Sequence, residues 1–148
     1  EFADAVIERL GQQPETLAPI SYEKPLPVSI KLKELPKEEK ELVGVDVFLD
    51  WSKGEPQDLG VELQQFNVSG LKLHVITNRG VKVFPGGFPE TFCTDHWRCR
   101  FLNAQGEVIT PSQVAELYTT LVNAGFNCIK TENLYTFNGE AGFSAVHG

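Results

Sequence analysis

Methionine is absent from all 148 residues. The stretch therefore lacks a translation start of its own and reads as a piece of something longer, entered directly in a helical pattern at Glu1. Cysteine is scarce: Cys93, Cys99 and Cys128 are an odd number without framework spacing. That speaks against a disulfide scaffold and for a reducing, cytoplasmic setting. No apolar run approaches the ~20 residues that cross a bilayer, and no secretory leader is expected. Basic charge is also short, with 13 Lys and Arg against 20 Asp and Glu and a net charge of -7. This balance opposes non-specific attachment to nucleic acid or to an anionic membrane. Neither phosphate-cradling glycine pattern, G-x-x-x-x-G-K-[ST] or G-x-G-x-x-G between strand and helix, occurs.

What remains is an ordinary globular composition, 41% hydrophobic and 22% charged. The length suits one compact domain with a self-sufficient core. Residues 2–10, with Phe2, Val6 and Leu10 near one face, read as the last turns of a helix closed by Gly11 and Pro14. Pro14, Pro19, Pro25, Pro27 and Pro36 then suit an extended connector, with Ser29 to Leu32 as a candidate edge strand. Lys37 to Glu41 reads as a solvated mixed-charge segment. The expected divisions are residues 1–13 for the helix end, 14–42 for the connector and 43–148 for an α+β domain.

From Val43 the pattern alternates. Val43, Val45, Val47 and Leu49 take turns with Gly44, Asp46, Phe48 and Asp50, the period of a half-buried strand. A helix follows Gly54 and Pro56 with Leu59, Leu63 and Phe66 on one face, weakened at Gly60 and ended by Gly70. Leu71, Leu73 and Val75 make a second strand. Asn78-Arg79-Gly80 turns it into a hairpin arm, Val81 to Phe84. Pro85 to Pro89 breaks any ladder. His96 to Asn103 is the next strand, with Trp97, Cys99 and Phe101 opposite His96, Arg98 and Arg100. A helix opens on Thr110, Pro111 and Gln113, presents Val114, Leu117, Tyr118, Leu121 and Val122, and stops at Gly125. The last strand runs from Cys128 to about Phe137. Two β-α-β units in succession, with right-handed crossovers, predict a ferredoxin-like split β-α-β sandwich. Its sheet is mainly antiparallel, with both helices on one face and an extra hairpin arm. The opposite face is expected to show Asp46, Phe48, Lys72, His74, Ile76, Arg98 and Arg100.

Cys93, His96 and Cys99 superficially suggest zinc. However, on a strand His96 and Cys99 point to opposite sides, and no fourth ligand or C-x2-C pair accompanies them. His74, His96 and His147 permit chance Cys-His pairings, but nothing marks a nucleophile on a strained turn. Arg98 and Arg100 could bind a carboxylate or phosphate, or pair with Asp46, Asp50 or Glu132 on neighbouring strands. Phe143 is either a packing lid or an anchor in a neighbouring subunit. The strand order also serves RNA-recognition motifs, but Trp97 to Leu102 lacks their glycine and turns its aromatics to the core, so RNA binding is rejected.

Four segments together are more specific than the fold class: Val43 to Phe48, Asn78-Arg79-Gly80, Asp95-His96-Trp97-Arg98-Cys99-Arg100-Phe101-Leu102, and Phe137-Asn138-Gly139-Glu140-Ala141-Gly142-Phe143. In this order they resemble the extra C-terminal domain of long-form bacterial isocitrate dehydrogenases, homodimeric members of the isocitrate/isopropylmalate dehydrogenase family. Phe2 to Pro14 is similar to that family's last catalytic-domain helix. The resemblance implies a parent that oxidatively decarboxylates isocitrate to 2-oxoglutarate with NADP or NAD and Mg2+ or Mn2+. The family's substrate and metal residues, and its N-x-x-G-D-[IL]-[LI]-S-D signature, have no counterpart here. No catalytic, cofactor-binding or metal residue is therefore assigned within the chain. The expected partners are the parent catalytic domain and the second subunit of a homodimer. Phe48, His74, Ile76, Arg79, His96, Arg98, Arg100 and Phe143 form the candidate interface or effector face. They serve either subunit assembly or an ACT-like regulatory domain holding a small effector.

Overall fold

The protein is described by a computed structural model covering residues 1–20 and 35–146. The expected strand at Ser29–Leu32, Pro25 and Pro27 of the connector, and His147 lie outside the described residues. Two units separate, residues 1–35 and 36–148. In the first, α1 spans Phe2–Ile7 and buries no residue. It stops short of Leu10 because Arg9 and Leu10 donate to the carbonyls of Val6 and Ile7, tightening the last turn before Gly11 reaches a positive φ.

The second unit is a seven-stranded sheet with two helices over one face. Its elements are β1 Lys40–Asp50, α2 Pro56–Gln64, β2 Asn67–Val68, β3 Leu71–Asn78, β4 Val81–Phe84, β5 His96–Asn103, α3 Pro111–Asn123, β6 Asn127–Phe137 and β7 Glu140–Ala141. The order is β2-β3-β5-β1-β6-β7, every pairing is antiparallel, and β4 also pairs with β3. The four long strands thus follow the split β-α-β arrangement expected from the alternating pattern. Leu59 and Leu63 of α2 and Leu117 and Leu121 of α3 are fully buried against Val45, Val47, Leu49, Cys99 and Phe101. Each such side chain contributes ~1.5–3 kcal/mol of burial.

Capping explains where α3 begins and ends. The backbone N–H of Gln113 donates to the Thr110 hydroxyl at 3.4 Å, and the Gln113 side chain accepts from the Thr110 N–H at 2.8 Å, behind Pro111 at the first helical position. At the other end Phe126 donates to Leu121 and Gly125 to Val122, with Gly125 at φ +91°. That bond pair needs the left-handed conformation glycine adopts without strain. In α2, Gly60 has a different reason: a Cβ there would drive into the Phe84 ring, so the helix gives up propensity to let β4 close on it.

Three expectations are corrected. β1 begins at Lys40 rather than Val43, so Lys40 and Glu41, within the solvated segment, are strand residues paired with Phe137 and Thr136. Gly70 does not end α2, which stops at Gln64; Ser69 and Gly70, both at positive φ, turn β2 into β3. The Phe137–Phe143 stretch turns the chain at Asn138 and Gly139 into β7. Most consequential is Ile76. The β3–β5 register slips between Leu73 and Val75, inserting His74 as an extra residue. A one-residue bulge inverts every later side chain. Val75 therefore joins Arg100 on the outer face, and Ile76 is fully buried in the core beside Cys99.

Candidate functional site

The outer sheet face is organised by charge. Asp46 of β1 and Arg100 of β5 are directly opposed in register. The Arg100 Nε and Nη2 donate to the two Asp46 carboxylate oxygens at 2.8 and 2.9 Å, a bidentate pair with both side chains buried. Such geometry is what makes a desolvated ion pair tolerable. The remaining guanidinium nitrogen, Nη1, donates to the Ser144 carbonyl at 3.0 Å, and the group stands 5.0 Å from the centre of the Phe143 ring. Phe143 is therefore held over Arg100 within this chain, drawing residues 143–146 across the sheet. Arg98, one step along the same face, donates from Nε to the Thr77 hydroxyl at 3.0 Å and lies 3.7 Å from Asp46.

Two recesses flank this pair. One, of about 170 Å3, is lined by Phe48, Thr77, Arg79, Gly80, His96 and Arg98. The other, of about 360 Å3, lies under the tail and includes His74, Lys82, Arg100 and Phe143. Seven of the eight candidate residues thus line one recess or the other, and Ile76 lines neither. Phe48 is on the expected face but is buried rather than bare: the His96 ring lies 5.5 Å away and the Lys130 ammonium 4.1 Å above it. Both faces of β1 are consequently buried from Gly44 to Leu49, where a half-buried strand was expected.

Sequence reasoning missed Thr77 and Lys82, which line these recesses, and Ser144, whose carbonyl accepts from Arg100. Of the loop between β4 and β5 it read only that Pro85 to Pro89 breaks the ladder. That loop carries Phe88 and Phe92, 67% and 73% exposed, the most exposed large apolar side chains within residues 36–146. The available signal was two phenylalanines in a proline- and glycine-rich segment where no alternation explains them.

The structure does not bring Cys93, His96 and Cys99 together. Cys99 is in the core, His96 is on the opposite face, and Cys93 precedes β5 in the loop. Burial pushes the Cys99 thiol well above the ordinary range, with Cys128 and Asp46 adding to it. Burial also raises Cys93, helped by Glu55, and raises Cys128. Raised thiols disfavour the thiolate that nucleophilic chemistry requires. Among the described residues no three His, Cys, Asp or Glu side chains converge, and the buried Asp46 carboxylate is occupied by Arg100.

The fold and this face define an α+β module with an ion-paired sheet surface. Residues 40–148 match the family model described as the C-terminal domain of bacterial isocitrate dehydrogenase. The chain belongs to that family. It is 34% identical over 155 residues to the NADP isocitrate dehydrogenase of Rickettsia bellii, covering all of this chain and 31% of that protein. It is 33% identical over 153 residues to that of Thermus thermophilus, covering all of this chain and 30% of that protein. A solved structure, the TT0538 protein from Thermus thermophilus, superposes with a TM-score of 0.69 at 29% identity, over 98% of this chain and 30% of that one. The chain thus spans under a third of the length of these relatives.

Proposed function

We propose that this chain is the C-terminal accessory module of an isocitrate dehydrogenase, and that the module serves subunit assembly rather than catalysis. The reaction, oxidative decarboxylation of isocitrate to 2-oxoglutarate with NADP and Mg2+ or Mn2+, is carried by the rest of the parent. NADP is favoured over NAD because the relatives are named for it. The observation that carries the reading is the exposure of Phe88 and Phe92 on one loop. Exposed aromatics are typical anchors of docking interfaces. Since more than two thirds of each relative lies outside the chain, the remainder of the parent is the surface they meet.

The test is the full-length enzyme carrying F88S and F92S. Its kcat should stay within about twofold of the parent, while the concentration at which dimers dissociate should rise about tenfold or more, a ~1.4 kcal/mol loss. Unchanged dissociation contradicts docking through this loop.

A second reading, an ACT-like small-effector domain, draws support from the recess where Arg79, His96 and Arg98 converge with no acidic lining. Planar guanidinium groups there suit a carboxylate or phosphate. Stabilisation of the chain by millimolar phosphate or citrate, abolished in R98A, would favour it.

A further inference from the structure

Among the described residues, one long edge of the sheet has no partner strand over most of its length. Strand β6 is paired with β1 along its inner side, but on its outer side β7 covers only Thr136 and Phe137. The Tyr135 carbonyl accepts from Gly142 and the Cys128 carbonyl from the Tyr118 hydroxyl, so the outward backbone groups between them, on alternate residues from Lys130 to Leu134, are the ones another strand could pair with. The centre of that edge reads Lys130-Thr131-Glu132, within a regular run from Lys130 to Leu134; the β6 bulge at Ile129 lies outside it. Lys130 and Glu132 are on one face, half-exposed, and paired to each other at 2.6 Å.

We propose that this edge pairs antiparallel with the same edge of a second copy of the chain, about a twofold axis at Thr131. Symmetric antiparallel pairing places a residue opposite itself at the axis, so the register is a choice among centres. Centring on Lys130 opposes Lys to Lys, and centring on Glu132 opposes Glu to Glu. Centring on Thr131 sets each Lys130 against Glu132 of the second copy and Thr against Thr, both favourable cross-strand pairs. The intrastrand contact is an exposed ion pair of small worth, free to exchange partners. An axis perpendicular to the sheet keeps both helix layers on one side, fusing two sandwiches into one continuous sheet. Beside the edge, α3 and β6 leave a groove of about 410 Å3 lined by Pro111, Val114, Tyr118, Thr131 and Asn133. This groove would extend contact to the second copy's helix layer.

The inference rests on the assembly reading and names its surface. Sedimentation equilibrium of this chain is compared for the parent sequence, K130E, E132K and the double K130E/E132K, with circular dichroism verifying the fold of each. Each single reversal sets like charges opposite across both symmetry-related pairs and should weaken the dimer about tenfold. The double variant restores opposite charges and should return to within about threefold of the parent chain. A chain that stays monomeric at all concentrations overturns the proposal. So does a dimer indifferent to the single reversals, or one the double variant does not rescue. Those outcomes leave the docking of Phe88 and Phe92 in the full-length enzyme to stand or fall on its own measurement.

Discussion

Asp46 and Arg100 face each other across β1 and β5 and join through two near-parallel hydrogen bonds of 2.8 and 2.9 Å, with both side chains out of water. Through the same guanidinium, Ser144 and Phe143 are tied to the sheet. One ion pair therefore fixes the centre of the outer face and the path of the tail.

Removing one partner strands the other. Arg100→Met should lower unfolding free energy by ~3–5 kcal/mol, because the buried Asp46 carboxylate loses both short hydrogen bonds and keeps only the Arg98 Nε 3.7 Å away. Urea unfolding reads this directly. Asp46→Leu combined with Arg100→Met should recover most of the loss, and limited proteolysis should still cut near Ser144 faster than in the parent chain, since no guanidinium holds the tail. If Arg100→Met alone is neutral, the pair does not organise this face.

Helix α2 offers a test in which propensity and packing disagree. Gly60→Ala gains about 1 kcal/mol of helix propensity but forces the new methyl into the Phe84 ring. Overpacking costs ~1–3 kcal/mol, so the variant should be no more stable than the parent and up to ~2 kcal/mol weaker. Gly60→Ala with Phe84→Leu should relieve the clash and fare better than Gly60→Ala alone. A clear stabilisation by the single change would show that the ring yields.

How much of this was legible in the sequence follows from where local rules suffice. Helix α3 was readable to its caps because Thr110, Pro111, Gln113 and Gly125 carry the start and stop signals themselves. Strand β5 was readable to its ends because Trp97, Cys99 and Phe101 alternate without interruption. The bulge at His74 was not, since Leu71, Leu73 and Val75 alternate equally well in a regular strand. It arises only when β3 is laid against β5, and it sends Ile76 inward. Phe48 likewise looked bare because the groups that cover it, His96 and Lys130, come from two other strands. Candidate charges were visible as Arg98 and Arg100, and Asp46 was among their possible partners. The third tie of Arg100, to Ser144, depends on a tail that doubles back after β7.

The thiols give a pH signature. All three are raised above the ordinary 9.0 in the folded chain, so that near and above this value the folded state holds protons that the unfolded state has lost. Their contribution to stability is fully present below 9.0 and is lost as pH rises through the ordinary value toward the raised ones. Unfolding midpoints should fall above this pH, and fall less in Cys99→Ala. At pH 8 a thiol reagent should label Cys99 only after unfolding; rapid labelling in the folded chain would contradict its placement beside Phe101 and Val47.

The role in assembly is reached most directly by deleting residues 36–148 from the full-length enzyme and following sedimentation and isocitrate-dependent NADP reduction over the same dilution series. The assembly account predicts that dimers of the shortened enzyme come apart at concentrations about tenfold higher or more, while kcat of the remaining dimer stays within about twofold. A shortened enzyme that holds its dimer as tightly as before, or whose intact dimer has lost turnover, would contradict it.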